Sequence, residues 1–419
     1  MGPPDRGPVV DLDPNSQEFL DQRFERYAEL RESCPVVYDR AHEGFWLVTG
    51  YDEVMTVARD TDVFMHKFEP DAPDGVTYEG IMGYPRPEGP AQGLSEVDGP
   101  EHHDLRRALT PVFSPAAVER LRPNMERVTT WFLDQVIERG ELDLVLDYTS
   151  PVPAVLTLQM MGLPCENWQR YAEFFHTMVA HPSTSPEYIA GMAHAPEMIG
   201  ELLGYAEFRR EHPGADVTSL LVRMERVGGP LTDEQIGNVM WNLVAGGIDT
   251  TTSLASWGLY HLGTHPHDRR RLVDEPGLLP TAIEEFLRYY SPNESLSRTA
   301  ARDVELGGCR IRQGDRVWLS WLSANRDANA FDRADEVVVD REPNPHLAFG
   351  LGAHRCIGAH LARAETEVLI TEVLRRLPDY EIDEARFTPY PGSPLMNGVG
   401  TMPATFIPGP RIGPQEPPF

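Results

Sequence analysis

The chain has 419 residues, of which 41% are hydrophobic and 24% charged, and its formal net charge at pH 7 is −28. This composition is ordinary for a globular protein and excludes a chain that is mainly disordered, collagen-like or coiled-coil. So acidic a surface repels nucleic acid and anionic lipid, which argues against both as partners.

The first third of the chain predicts a helix, a hairpin and a long irregular segment. Residues 17–33 have a helical pattern, and residues 36–54 read as two short strands around Glu43-Gly44 followed by a helix. Residues 65–100 are rich in Gly and Pro and lack periodicity, which is typical of a functional or mobile loop. The helical pattern returns from Glu101 to about Arg122.

Helices predominate in the rest of the chain. Helical stretches continue to residue 290, with breaks near Pro164, Pro182–Pro186 and Gly228–Pro230. The patterns together predict one mainly α domain over residues 1–419, with a minor β portion. Its helix-rich parts are residues 101–290 and 359–377, and its β-rich parts are residues 35–50, 300–322 and 380–408.

The four cysteines, Cys34, Cys165, Cys309 and Cys356, are far apart in sequence. Zinc and iron–sulfur spacings of the C-x-x-C type are absent, and four cysteines in this length do not make a disulfide framework. We find no run of about 18 apolar residues and no signal-peptide pattern. We therefore expect a cytoplasmic protein without a membrane anchor.

Residues 231–262 predict one long helix, which at about 30 residues would span roughly 45 Å. Gly246 and Gly247 in its middle each cost about 1 kcal/mol relative to Ala, so close approach of a cofactor or another helix is expected there. Asp249 and Thr250 place an acid and a hydroxyl at one point of the helix. Helix packing through small residues is the alternative explanation.

The sharpest feature is the segment FGLGAHRCIG at residues 349–358. Its glycines let the backbone adopt positive φ angles and pass close to a flat ligand. Cys356 lies just before a predicted helix, where the dipole and free N–H groups are expected to lower the pKa of a thiol. One protein thiolate can serve as the axial ligand of haem iron. A buried core cysteine beside a Gly-rich turn is the alternative.

This segment resembles the haem-binding signature of the cytochrome P450 superfamily, F-x-x-G-x-H/R-x-C-x-G, at Phe349, Gly352, His354, Cys356 and Gly358. The resemblance implies that Cys356 is the proximal thiolate ligand of haem b (heme b), with Phe349 beside the sulfur and His354 reaching a haem propionate. It also implies the cytochrome P450 fold, a triangular helical prism with a long central helix over the haem.

The central helix resembles the family's oxygen-activation motif, A/G-G-x-D/E-T. The resemblance implies that Thr250 holds dioxygen and its waters, while Asp249 helps to relay protons. Gly246 would leave room for oxygen over the haem, and Thr251 is the alternative to Thr250.

Glu285 and Arg288 lie three residues apart on a predicted helix and can pair. Alone, they would be an ordinary solvated helix pair. Together with Arg341 they resemble the family's E-x-x-R motif and its third member, which implies a structural role in holding the cysteine loop.

His102 and Arg106 share one helix face, which suits a dicarboxylate ligand. A surface basic patch is the alternative. The resemblance implies that both residues bind haem propionates, with Arg298 at a third propionate-binding position.

The resemblance covers about residues 17–408 and implies a soluble bacterial haem-thiolate monooxygenase. Such an enzyme inserts one oxygen atom of O₂ into a small hydrophobic or amphipathic molecule, here a natural-product, terpenoid or steroid-like compound, by hydroxylation or epoxidation. Oxidative coupling or ring formation is one alternative. A non-catalytic haem-thiolate sensor is another, although a sensor needs no acid–alcohol pair.

No reductase sequence follows residue 419, so electrons from NAD(P)H are expected to arrive through a separate ferredoxin and ferredoxin reductase. We expect a monomer. Ferredoxins are commonly acidic, which fits poorly with a net charge of −28. A local basic patch formed by Arg106, Arg107, Arg355 and Arg363 is expected to provide the docking surface.

The substrate pocket implied by the resemblance is mostly apolar, as expected for a drug-sized ligand. Glu294 is an unusual polar member, which would either pair with a cationic or hydroxylated substrate group or be a satisfied structural acid. The candidate lining residues are Met82, Leu94, Phe175, Met178, Asn242, Leu243, Glu294, Leu296, Leu395 and Met396.

Overall fold

Helices form most of the structure, a computed structural model that describes residues 7–87, 89–226, 228–393 and 395–419. The mainly α character with a minor β portion is confirmed. The helices are α1 Gln17–Asp21, α2 Arg23–Ser33, α3 Tyr51–Arg59, α4 Gly99–Leu109, α5 Pro115–Asp134, α6 Pro151–Met161, α7 Trp168–Ala180, α8 Pro186–Met192, α9 Ala195–Glu211, α10 Val217–Val222, α11 Asp233–Thr264, α12 Pro266–Asp274, α13 Leu279–Tyr290, α14 Trp321–Ala324 and α15 Ala359–Arg376.

The strands form one larger sheet and several small ones. The larger sheet has six strands in the order β1-β2-β3-β11-β8-β4, with β3 and β11 parallel and β11 and β8 antiparallel. The strands are β1 Val9–Val10, β2 Val36–Asp39, β3 Phe45–Val48, β4 Phe64–Met65, β5 Phe68–Glu69, β6 Tyr78–Glu79, β7 Glu141–Asp143, β8 Ser295–Ala300, β9 Val304–Leu306, β10 Cys309–Ile311, β11 Arg316–Ser320, β12 Glu381–Ile382, β13 Thr388–Pro389, β14 Val399–Thr401 and β15 Pro403–Thr405.

Helix α11 crosses the helical part of the molecule. It begins at Asp233, within two residues of the predicted start, and Thr232 and Gln235 form a complete capping box there. Helices α6, α7, α9, α13 and α15 all pack against it, which explains why apolar residues occur around most of its circumference. In the described part of the chain, no helix combines the length and the apolar character needed to cross a membrane.

Two of the boundaries that differ from those predicted have a clear physical cause. The helix expected from Glu101 to about Arg122 is two helices, because α4 ends at Leu109 and α5 starts afresh with Ser114 as its N-cap and Pro115 at its first turn. Strand β8 begins at Ser295, before the predicted strand region at residue 300, because its residues 295–299 pair with β11. That pairing is a long-range effect that no local pattern indicates.

Candidate functional site

A cavity of about 310 Å³ lies between α11 and the cysteine loop, residues 349–358. Helix α4, residues 81–82 and 92–95, and strand β8 close its sides. The structure therefore brings together residues as far apart in the sequence as His66 and Met396. The predicted residues on its wall are Met82, Leu94, His102, Arg106, Met178, Asn242, Leu243, Gly246, Asp249, Thr250, Leu296, Arg298, Phe349, His354, Cys356, Gly358, Leu395 and Met396.

The cysteine loop is folded so that its thiol reaches this cavity. Gly350 and Gly352 adopt positive φ angles of 63° and 68°, which side chains disfavour. The Cys356 N–H donates to the carbonyl of Phe349 at 2.8 Å and closes the loop. Gly358 is the N-cap residue of α15, so the thiol lies just before that helix.

A buried ionic network supports the loop from behind. Arg288 donates from Nε and Nη2 to the two carboxylate oxygens of Glu285, both at 2.8 Å, and Arg341 Nε donates to Glu285 Oε2 at 2.9 Å. Arg288 also donates to the carbonyl of Asn325, whose side chain accepts from the Leu347 N–H at 2.7 Å. The three residues thus anchor the segment that enters the cysteine loop.

One side of the cavity is rich in cations that lack anionic partners. Arg298 is buried, its Nη1 donates only to the carbonyl of Ser297, and its Nε has no partner. Burial lowers the pKa of Arg298 to about 10. Among the residues that the structure describes, no carboxylate lies within ion-pair distance of Arg298 or Arg106.

Three histidine rings are stacked beside these guanidinium groups. The His354 ring lies between those of His66 and His102, with centroid distances of 3.6 and 3.8 Å. His354 Nε2 bonds to Asp98 Oδ1 at 2.9 Å, whereas His66 Nε2 is buried without a partner. Burial, followed by the neighbouring cations, lowers the pKa of His102 to about 4, so its imidazole is neutral at pH 7.

The two glycines in the middle of α11 are present for different structural reasons. A methyl group added at Gly246 would meet no atom within 4 Å, because this position opens onto the cavity. One added at Gly247 would lie 2.6 Å from Thr157 Oγ1, so Gly247 is required for packing against α6. Thr250 Oγ1 donates to the Gly246 carbonyl at 2.8 Å, which fixes the hydroxyl beside the opening.

Comparison with known proteins decides the family. Residues 204–378 match the family model for cytochrome P450. The nocardicin C N-oxygenase of Nocardia uniformis subsp. tsuyamanensis is 36% identical over 361 residues, which cover 84% of this chain and 87% of that protein. The chain belongs to the cytochrome P450 family.

Two other cytochromes P450 extend the comparison. The mycinamicin IV hydroxylase/epoxidase of Micromonospora griseorubida is 33% identical over 363 residues, covering 84% of this chain and 87% of its own. Cytochrome P450 CYP268A2 of Mycobacterium marinum, solved in complex with pseudoionone, superposes with a TM-score of 0.84 at 29% identity, covering 95% and 99% of the two chains. The predicted fold is confirmed, and the chain is a cytochrome P450 monooxygenase that uses haem, O₂ and electrons derived from NAD(P)H.

The chemistry of the cavity fits the haem of a cytochrome P450. A haem brings two propionates into a cavity whose cationic side has unpaired guanidinium groups and a buried imidazole nitrogen without a partner. It also requires one thiolate, and of the four cysteines only Cys356 lies on the cavity wall. His66 and Asp98 belong to the same cationic side but are in none of the family motifs that the sequence displays, so sequence reasoning missed them.

The pKa of the Cys356 thiol is shifted in the direction opposite to the one predicted from the sequence. The thiol is accessible from the cavity, although protein surrounds it on the other sides. Burial raises the pKa of the Cys356 thiol, and the Gly358 N–H and nearby arginines only partly oppose that rise. The helix N-terminus alone therefore does not produce the lowered pKa predicted from the sequence, because loss of hydration outweighs it.

Two predicted pocket residues are corrected by the structure. Phe175 is fully buried and packs edge-on against Trp241 at a centroid distance of 5.1 Å, away from the cavity. Glu294 also turns away from the cavity, because its carboxylate lies 3.4 Å from Arg23 Nε and accepts from the Tyr27 hydroxyl. Burial raises the pKa of Glu294 to about 7. Of the two interpretations given above, the structural acid is the one that this geometry favours.

Proposed function

We propose that the chain is a haem-thiolate monooxygenase that inserts one oxygen atom of O₂ into a small hydrophobic or amphipathic organic molecule. The substrate class is a natural product, terpenoid or steroid-like compound, and the reaction is hydroxylation or epoxidation. The observation that carries this proposal is one cavity bordered by Cys356, by the unpaired guanidinium groups of Arg298 and Arg106, and by Asp249 and Thr250.

The residues divide into those that hold the cofactor and those that handle protons. Bound haem supplies the activation of O₂ with two electrons and two protons. Cys356 provides the thiolate ligand, since a coordinating thiol is deprotonated even where burial opposes it. Arg298, Arg106 and His102 bind the propionates, and Phe349 and Gly358 enclose the sulfur. His354 was expected to reach a propionate, but its Nε2 is bonded to Asp98, so we assign it to ordering that side of the cavity.

The distal wall is provided by α11. Gly246 leaves space above the cofactor, and the Thr250 hydroxyl, held by the Gly246 carbonyl, orients water next to that space. The carboxylate of Asp249 is almost fully buried and borders the same cavity. It supplies protons to the waters that Thr250 orients.

The substrate part of the cavity is mainly apolar, with methionine and leucine side chains on several elements. Its polar members include Asn242, which accepts from Ser95 Oγ at 3.0 Å and donates to Gln92 Oε1 at 3.3 Å, and these two partners also line the cavity. Such a lining suits a substrate that is apolar overall and carries a polar function. The names of the relatives support this class, since they include a mycinamicin IV hydroxylase/epoxidase and a complex with pseudoionone.

Electrons arrive from a separate ferredoxin with its reductase. The four arginines expected to form a docking patch are not equivalent in their environments. Arg106 borders the cavity, Arg363 is paired with Glu284, and Arg107 is paired with Asp104 at 2.7 Å. Arg355 is exposed and has no carboxylate partner within the described residues, so it is the strongest candidate for contact with an acidic ferredoxin.

A spectral titration followed by product analysis tests the proposed function. The haem-loaded protein is titrated with terpenoids, steroids, fatty acids, macrolides and small cyclic peptides, and a low-spin to high-spin change of the Soret band identifies a ligand. That ligand is then turned over with a ferredoxin, its reductase, NAD(P)H and labelled O₂. We expect a product heavier by one labelled oxygen. A product lighter by two hydrogens would show that the reaction is oxidative coupling and not oxygen insertion.

Replacing Thr250 by alanine is expected to uncouple the reaction. NAD(P)H oxidation should continue while product per NAD(P)H falls about tenfold, since one hydrogen bond is worth on the order of 1 kcal/mol and more in a closed site. The missing product should be recovered as hydrogen peroxide, and Thr250→Ser should restore most of the coupling. If Thr250→Ala forms as much product per NAD(P)H as the unaltered protein, Thr250 has no role in the mechanism.

A further inference from the structure

Asp249 is bound on its outer side by two residues that belong to none of the recognised motifs. The Tyr390 hydroxyl, from the end of β13, donates to Asp249 Oδ1 at 3.1 Å. His176 of α7 has its Nδ1 3.2 Å from the same oxygen and 2.8 Å from the Tyr390 hydroxyl. Three distant segments of the chain thus meet at one carboxylate oxygen.

The two partners differ in their access to solvent. Tyr390 is buried, and burial together with the Asp249 charge raises its pKa well above the ordinary value, so it remains a phenol that donates a fixed hydrogen bond. The His176 side chain is 26% exposed and does not border the cavity, so its exposed surface faces outward. No described residue bonds to its Nε2.

The second carboxylate oxygen of Asp249, Oδ2, makes no hydrogen bond to the residues that the structure describes. The Asp249 side chain is 2% exposed, and the residue borders the cavity next to Thr250. Asp249 therefore separates a partly solvated imidazole on one side from the cavity on the other.

We propose that His176 is the point at which solvent protons enter the relay to Asp249, and that Tyr390 fixes the carboxylate for that transfer. This inference rests on the proposed role of Asp249. Histidine is the side chain that exchanges protons most readily near neutral pH. Uptake of a proton at Nε2 and release of another from Nδ1 to Asp249 Oδ1 moves one proton inward, and a half-turn of the imidazole about its Cβ–Cγ bond then brings the protonated nitrogen back to Asp249.

The surroundings of His176 favour this route. Of the helices packed against α7, α6 contains no charged residue and the charged residue of α8, Glu187, is exposed. Among the residues that the structure describes, Asp249 and Tyr390 are the titratable groups hydrogen-bonded to the imidazole. The position of Tyr390 is itself built into the fold, since a side chain at Gly398 would collide with the Tyr390 ring. Once protonated, the Asp249 carboxyl can turn about its Cβ–Cγ bond and present the proton to the cavity.

Solvent access is tested on the unaltered haem-loaded protein by diethyl pyrocarbonate, which modifies accessible imidazoles, with peptide mass spectrometry as the readout. His267, 78% exposed, and His261, 3% exposed, are internal references. We expect His176 to react at a rate nearer to that of His267 than to that of His261. Protection equal to that of His261 would overturn the proposal, because the imidazole would have no contact with solvent.

Proton transfer is tested with His176→Gln, whose amide can still donate to Asp249 but does not shuttle protons. The readout is the ratio of water to hydrogen peroxide formed from O₂ with ferredoxin, its reductase and NAD(P)H, and it needs no substrate. Peroxide formation consumes one NAD(P)H per O₂, whereas water formation consumes two. We expect this ratio to fall about 100-fold, at the low end of what one positioned proton donor contributes.

Two comparison variants separate the possible causes. Tyr390→Phe removes a hydrogen bond without removing the imidazole, so a smaller change in the ratio is expected. If Thr250→Ala raises peroxide and His176→Gln leaves the ratio unchanged, the entry role of His176 is refuted and the proposed function stands. If neither Thr250→Ala nor His176→Gln changes the ratio, the assignment of the Asp249–Thr250 pair fails together with this inference.

Discussion

Replacing Cys356 by serine is expected to abolish thiolate-ligated haem and, with it, monooxygenase activity. Serine keeps the size of the side chain but substitutes a poorly ionised hydroxyl for the soft ligand that supplies electron density to the iron. Activity should fall by more than about 100-fold, because loss of a ligand exceeds the 10–100-fold cost of losing an outer-shell partner. The carbon monoxide spectrum of the reduced protein should lose its thiolate form, and haem content should be measured separately.

Cys34→Ser is the matched control. Its thiol donates to the Val36 carbonyl at 3.2 Å, a bond that serine reproduces, and it lies outside the cavity wall. This variant should retain both the thiolate spectrum and product formation. A thiolate spectrum that persists in Cys356→Ser would move the ligand assignment to another cysteine, and the central role of the cysteine loop would be lost.

Much of the fold could be predicted because its signals are local. The capping box at Thr232 and the long apolar pattern after it mark α11 almost to the residue. The glycines of the cysteine loop were also informative, since Gly350 and Gly352 do adopt the positive φ angles for which glycine is suited. Local rules failed where a boundary depends on pairing with a distant strand, as at β8.

The candidate site was predictable in part, for the same reason. Asp249 and Thr250 are adjacent in the sequence, so their meeting needs no knowledge of the fold. The meeting of Asp249 with His176 and Tyr390 is decided by how α7 and the C-terminal strands pack against α11, and neither partner lies in a recognisable motif. The direction in which a side chain points could not be predicted from the sequence either. Glu294 turns to Arg23, although neighbouring residues in the chain border the cavity.

Glu285→Gln is expected to lower the free energy of unfolding by about 3–5 kcal/mol, the typical cost of removing one partner from a buried ion pair. The carboxylate is fully buried and accepts from both Arg288 and Arg341, and the Val338 N–H donates to it at 2.8 Å. Removing its charge leaves Arg288, which is also fully buried, without a counter-ion. Urea unfolding followed by circular dichroism and by the Soret band measures the change.

The Soret band should be lost at a lower urea concentration than the helical signal in this variant. The reason is that Arg288 connects the network to Asn325, and Asn325 holds the Leu347 N–H at the entrance of the cysteine loop. Asp340→Asn is the control, because its pair with Arg271 is largely solvated and should contribute at most about 1 kcal/mol. If both variants unfold at the same urea concentration, the buried network does not stabilise the loop, and the position of Cys356 must be maintained by the loop's own glycines and the N-terminal turn of α15.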